Sequence, residues 1–138
     1  MPLMFQPYAK YADFTGRARR SEFWLFTLFQ IIVSFVLSAM AGGAMSTAIL
    51  THAPPSGFAG LIFLLLALFG LGSFIPSLAV AFRRLHDSGK SAVWLLLAFV
   101  PVIGGLVLLI FYLLDSTPGD NQYGPNPKGQ VAGVAAVA

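Results

Sequence analysis

The 138-residue sequence predicts an all-α fold, a polytopic transmembrane helical bundle. Three observations carry that expectation. Hydrophobic residues make up 57% of the chain and charged residues only 9%, with a mean hydropathy of +0.81. A soluble domain carries roughly a quarter charged residues, so this chain could not cover its surface with polar side chains. The apolar residues fall into three long stretches, and the basic residues cluster between them.

The first stretch, Phe23 to Leu50, contains no ionisable side chain. As one helix it would extend roughly 42 Å, beyond the ~30 Å hydrocarbon core. The expectation is a span at about 23–44, with tilting or loosening near Gly42-Gly43. Thr51-His-Ala-Pro-Pro-Ser-Gly57 then reads as a connector, because two prolines and a glycine end a helix and permit reversal. The second span is expected at 58–82, with a kink where Pro76 removes a backbone donor, followed by a polar loop from Arg83 to Ser91.

The third stretch, 92–114, is interrupted by Pro101-Val-Ile-Gly104-Gly105. A single kinked span is the preferred reading. The alternative is a re-entrant hairpin of two short arms, whose bend would need shelter from the other helices. These readings give three or four helices. Three regions follow: a basic N-terminal segment at 1–22 expected on the cytoplasmic side, a transmembrane region at 23–114, and a turn-rich tail at 115–138. Val131 to Ala138 is expected to be a loosely ordered end.

Lys10, Arg17, Arg19 and Arg20 precede the first span, while Arg83, Arg84 and Lys90 follow the second. Two spans separate the clusters, which therefore share one face; the positive-inside tendency makes it cytoplasmic. The connector on the far side has no Lys or Arg. No secretory signal peptide is expected, since Met1 to Ala12 is mixed and the first span is too long for a cleaved h-region.

The net charge of +3 does not indicate nucleic acid, because the basic residues are few and lie beside apolar runs, where anionic headgroups would meet them. There are no cysteines. His52 and His86 are expected on opposite sides of the bilayer, so no metal site and no cofactor are anticipated. Gly89-Lys90-Ser91 matches the end of a P-loop, but Arg84 stands where that motif needs glycine and no strand precedes it. An intramembrane enzyme built on His86 and Asp87 lacks an identifiable nucleophile, so no catalytic residues are assigned.

Ser21 is expected to cap the first span, with Glu22 in its first turn favouring the helix dipole. If the second helix continues past Phe82, Arg83 and Asp87 are four apart and could pair, and Gly89 suits its end. The spans carry Thr27, Gln30, Ser34, Ser38, Ser46, Thr47, Ser73 and Ser77, uncharged groups that bond their own or neighbouring helices.

Three blocks in order resemble the bacterial inner-membrane family catalogued as domain of unknown function 805. They are Gly16-Arg-Ala-Arg-Arg-Ser-Glu-Phe-Trp24, Arg83-Arg-Leu-His-Asp-Ser-Gly89 and Gly119-Asp-Asn-Gln-Tyr-Gly-Pro-Asn-Pro127. The match covers about residues 8–128. The resemblance implies a multi-pass inner-membrane protein and brings no activity. If the three blocks serve one site they must share a face, which favours the hairpin.

The leading functional expectation is a non-enzymatic module that binds anionic lipid or a partner protein. Its candidate residues are Arg17, Arg19, Arg20, Arg83, Arg84, His86, Asp87 and Lys90, with Gly119, Asn121, Tyr123, Gly124 and Pro127 as an accompanying turn. Arginine's planar fork suits phosphate. The alternative is a subunit of an oligomeric small transporter or channel, a homo-oligomer joined through small-residue helix faces.

Overall fold

The computed structural model describes residues 2–129, all-α apart from one isolated bridge between Asn121 and Gly124. The tail expected at Val131 to Ala138 lies outside the described residues. A 3-10 turn at Leu3–Phe5 leads into a short helix α1 (Gln6–Ala9). Two long antiparallel helices follow, α2 (Arg20–Thr51) and α3 (Gly57–Asp87). A 3-10 helix at Ala92–Phe99 and helix α4 (Ile103–Leu113) complete the fold.

Both long helices are long and apolar enough to cross a membrane. Their outward faces are aliphatic and aromatic: Phe35, Leu50, Leu71 and Phe74 are all well exposed. In water such a surface would drive association; in lipid it costs nothing. The chain is a membrane protein built as a helical bundle.

α2 begins with Arg19, not Ser21, at its N-cap, and no side chain caps it. It does not loosen at Gly42-Gly43. Ser46 and Thr47 donate their hydroxyls to the carbonyls of Gly42 and Gly43 at 2.8 and 3.1 Å, so the polar groups stay within the helix. It ends where His52 takes a left-handed conformation and its N–H closes the last turn. α3 starts at Ser56, whose hydroxyl accepts from Ala59 N–H. It runs unbroken through the buried Pro76 and past Phe82 to Asp87. Arg83, Arg84, His86 and Asp87 thus occupy helix rather than a loop. Gly89 (φ 74°) then provides the left-handed turn, with Lys90 N–H on Leu85 O and Gly89 N–H on His86 O.

The third apolar stretch is a hairpin, contrary to the preferred single span. The chain leaves α3 at Ser88, yet Tyr112, Leu114 and Thr117 are back at the same end, bonded to Arg84 and to Asp87 O. The 3-10 arm of eight residues and α4 of eleven residues each extend roughly 16 Å, about half the hydrocarbon thickness. The turn between them, Val100-Pro101-Val102, is tight enough to force Val102 to φ 63°. Gly104 permits the arms to meet: a Cβ there would overlap the Leu97 carbonyl. The backbone at the bend is paired locally, by Ile103 N–H on Pro101 O and Gly104 N–H on Val100 O.

The N-terminal segment is packed along the long helices. Tyr8 meets Phe26 and Phe29 edge-on, Phe5 meets Phe29, and the Tyr8 hydroxyl hydrogen-bonds Ser73 at 2.7 Å and accepts from Gln30 at 3.1 Å. Gln30 and Ser73 thereby bond between segments, as helix-embedded polar residues do in lipid.

Candidate functional site: a buried charge knot

The end of the bundle where α2 starts and α3 stops gathers most of the chain's charge. Asp87 is its hub and is fully buried. One carboxylate oxygen accepts from Arg17 Nε at 3.0 Å; the other accepts from Arg84 Nη1 and from the Ser116 hydroxyl. Arg83 and Asp87, the expected pair, do not meet. Both lie on one side of α3, but each is taken by a nearer partner: Arg83 reaches Glu22 on α2 at 2.7 Å, and Asp87 is held by Arg17 and Arg84.

Two of the arginines are saturated with acceptors. Arg17 donates to the carbonyls of Gly119 (2.8 Å), Gly124 (3.4 Å), Thr117 (2.6 Å) and Asp87 (3.2 Å) besides the Asp87 carboxylate. Arg84 donates from Nε to Tyr112 O, from Nη2 to Leu114 O, and from Nη1 also to Ala18 O. A carbonyl chain that has left helix α4 has free acceptors, and the two guanidinium groups satisfy them. Arg83 differs: Nη1 is bound to Glu22, while Nε and Nη2 are buried without a hydrogen-bond partner among the described residues.

The C-terminal turn closes the knot. Gly119 and Gly124 adopt positive φ (66° and 133°) that aims their carbonyls at Arg17. Tyr123 stacks on His86, with ring centroids 4.0 Å apart and planes within 6°. His86 Nδ1 lies 3.2 Å from Gly16 O, and Asn121 donates to His86 O at 2.9 Å. Pro127 follows the turn without a polar role.

An open cationic surface is therefore the wrong picture for three of the expected residues. Arg17, Arg83 and Arg84 are buried with their charges engaged inside the chain. Lys10 and Arg20 are exposed, and Arg19 and Lys90 are half-buried at the surface. Arg20 bonds Leu113 O and lies 3.5 Å from Asp115; Lys90 sits 4.7 Å over the Phe111 ring. Asp115 is held below the usual carboxylate range, chiefly by its bond from Lys128 and less by Arg20. Asp13 is lowered too, first by the Thr15 hydroxyl, then by Thr15 N–H, with a smaller contribution from Arg83.

Sequence reasoning missed Ser116, Thr117 and the carbonyl acceptors of residues 112–124, because a carbonyl has no side-chain signature. It placed Glu22 only as a dipole partner. Among the described residues no group of three or more His, Asp or Glu could hold a metal.

The family described as "Protein of unknown function (DUF805)" matches residues 11–125, a range that begins before the Arg17 block and ends just after Gly124. The chain belongs to this family. Relatives include inner membrane protein YhaI of Escherichia coli (strain K12), 43% identical over 118 residues, covering 86% of this chain and 88% of that protein. Inner membrane protein YhaH of the same strain is 42% identical over 126 residues, covering 86% and 89%. No solved structure matches the chain. The match of family and knot is close: every residue of the Arg17–Asp87–Arg84 core falls inside the DUF805 range.

Proposed function

We propose that this chain is a non-enzymatic, multi-pass module of the bacterial inner membrane that presents a rigid polar cap at the cytoplasmic face and binds anionic lipid or a membrane partner there. α2 and α3 cross the bilayer, both termini are cytoplasmic, and residues 92–113 enter and leave from that side. The observation that carries this reading is the saturation of Asp87, Arg17 and Arg84 by one another and by backbone. Groups so fully engaged hold structure and are not available as general acids, bases or nucleophiles. The sidedness rests on the basic residues that remain outward and on the absence of Lys and Arg between Thr51 and Gly57.

The lipid contacts belong to Lys10, Arg19, Arg20 and Lys90, which ring the cap where headgroups lie. The purified protein is expected to retain anionic over zwitterionic phospholipid, and Arg19→Gln with Lys90→Gln should reduce that preference. Equal retention by the double variant would remove the lipid reading.

A second reading, the subunit of an oligomeric transporter or channel, is favoured by one observation. A Cβ added at Gly42, Gly43, Gly70 or Gly72 would meet nothing within 4 Å, so these faces are open to close approach by another helix. Cross-linking in native membranes together with flux in liposomes tests it; a monomer without flux excludes it.

A further inference from the structure

The third buried arginine has a different balance sheet from its neighbours. Arg17, Arg83 and Arg84 are all buried, and the buried carboxylates among the described residues are Asp87 and Glu22. Three guanidinium groups face two carboxylates, which leaves one positive charge in the interior without an opposite charge. Arg17 and Arg84 spread theirs over carbonyl oxygens. Arg83 has no such carbonyl, and its unpartnered atoms are Nε and Nη2. These two N–H groups lie on the same edge of the guanidinium plane and point in parallel, the arrangement that binds two oxygens of one carboxylate or phosphate.

We infer that the Nε/Nη2 edge of Arg83 is a bidentate site for a phosphate oxyanion, covered by the N-terminal segment. The chain's own anions are committed elsewhere. Glu22 occupies Nη1 at 2.7 Å, and Asp87 is taken by Arg17, Arg84 and Ser116. Asp13 lies near enough to feel the Arg83 charge but makes no ion pair with it, and one of its oxygens accepts both from Thr15 N at 3.0 Å and from Thr15 Oγ1 at 2.6 Å. The uncapped N-terminus of α2 lies one turn from Glu22 and adds positive potential to the same region.

Access follows from what covers this turn of α3. Ala18 N–H bonds Arg83 O at 3.0 Å, and the Phe14 ring packs on Phe82 at 5.2 Å. The stretch just before them, Ala9 to Ala12, is exposed. In this proposal the segment around Phe14 lifts off Phe82 to open the edge at the level of the basic rim. The site is distinct from the rim: it is one guanidinium edge with a stoichiometry of one, and it stands whether or not the outward cations hold lipid.

The test uses the full chain labelled with ¹⁵N-arginine, and follows the Arg83 Nε–H resonance, assigned by its loss in Arg83→Lys. Three additions are compared at equal ionic strength: phosphatidylglycerol in phosphatidylcholine nanodiscs, inorganic phosphate in detergent, and chloride. A saturable shift with phosphatidylglycerol alone assigns a lipid headgroup; with inorganic phosphate alone, a free anion; with both, any accessible phosphate. No shift, or an equal one with chloride, overturns the inference. Arg83→Lys keeps the charge but loses the paired edge, so phosphate binding should weaken roughly tenfold or more. Where Arg83→Lys folds poorly, through-bond correlation from Nε–H to the Arg83 backbone supplies the assignment, and the resonance of the unaltered protein still decides the matter.

Discussion

Arg17 and Asp87 stand 70 positions apart in sequence and meet at 3.0 Å, with both side chains shut away from solvent. That pair ties the segment before α2 to the end of α3, and Arg17 extends the tie to the turn after α4. One carboxylate thus organises three parts of the chain.

Asp87→Asn should be among the most destabilising single changes available. It leaves Arg17 and Arg84 buried without their counter-charge, and breaking a buried ion pair from one side costs about 3–5 kcal/mol. Thermal unfolding in detergent should show a large fall in Tm. A variant within a degree of the parent would show that the carbonyls alone suffice.

Gly104→Ala should open the hairpin. The added methyl collides with the Leu97 carbonyl, backbone that cannot swing aside. Overpacking of this kind costs about 1–3 kcal/mol. Trp94, which packs edge-on against Phe111 at 5.4 Å on the facing arm, is the reporter: its emission should shift as the arms part. Gly105→Ala, with open space around its Cβ, is the control and should change little.

The hairpin returns the chain at Leu114 to Thr117 to the end of the bundle where α2 starts. In the proposed orientation, a reporter fused after Lys128 should therefore be active in its cytoplasmic form and silent in its periplasmic form. The opposite pattern would require 92–113 to cross the membrane, and would separate Arg84 from its acceptors at Tyr112 and Leu114.

The C-terminal turn should loosen in acid. Asp115 is lowered in the folded chain by Lys128, by Ser116 N–H and by Arg20. A depressed carboxyl stabilises the folded form at pH values above its ordinary range, and that contribution disappears as pH falls through the depressed value. Protection of Ser116 N–H from hydrogen exchange, relative to the intrinsic rate at each pH, should therefore fall once the pH drops below the usual carboxylate range. Asp115→Asn should flatten this dependence. Because Asp115 is largely exposed, the effect on global stability should be small.

The long helices were legible in the sequence because uncharged runs beyond 20 residues have few alternatives. The hairpin was not, since an apolar stretch of 23 residues fits either one span or two arms by length alone. What decides it is the close backbone approach at Gly104 and the acceptors that Arg84 finds after Leu113. The site was half legible. The three blocks share one face, as their resemblance suggested, and nearly all the candidate residues gather there. Their charges, however, read from the sequence as outward. Arg17 and Arg84 are turned inward by carbonyl oxygens, which no residue letter records, and Arg83 by Glu22, which the sequence showed only as a first-turn acid.

Arg17 also has a history within each molecule's synthesis. It leaves the ribosome early, whereas Thr117, Gly119 and Gly124, which supply its carbonyls, are made about a hundred residues later. During that interval the guanidinium is bare and, in the proposed orientation, serves with Arg19 and Arg20 to keep the N-terminus from translocating. Only when the last turn arrives is its charge withdrawn from the surface. In the proposed orientation the same side chain would first direct insertion and then, once the last turn is in place, fasten the finished structure.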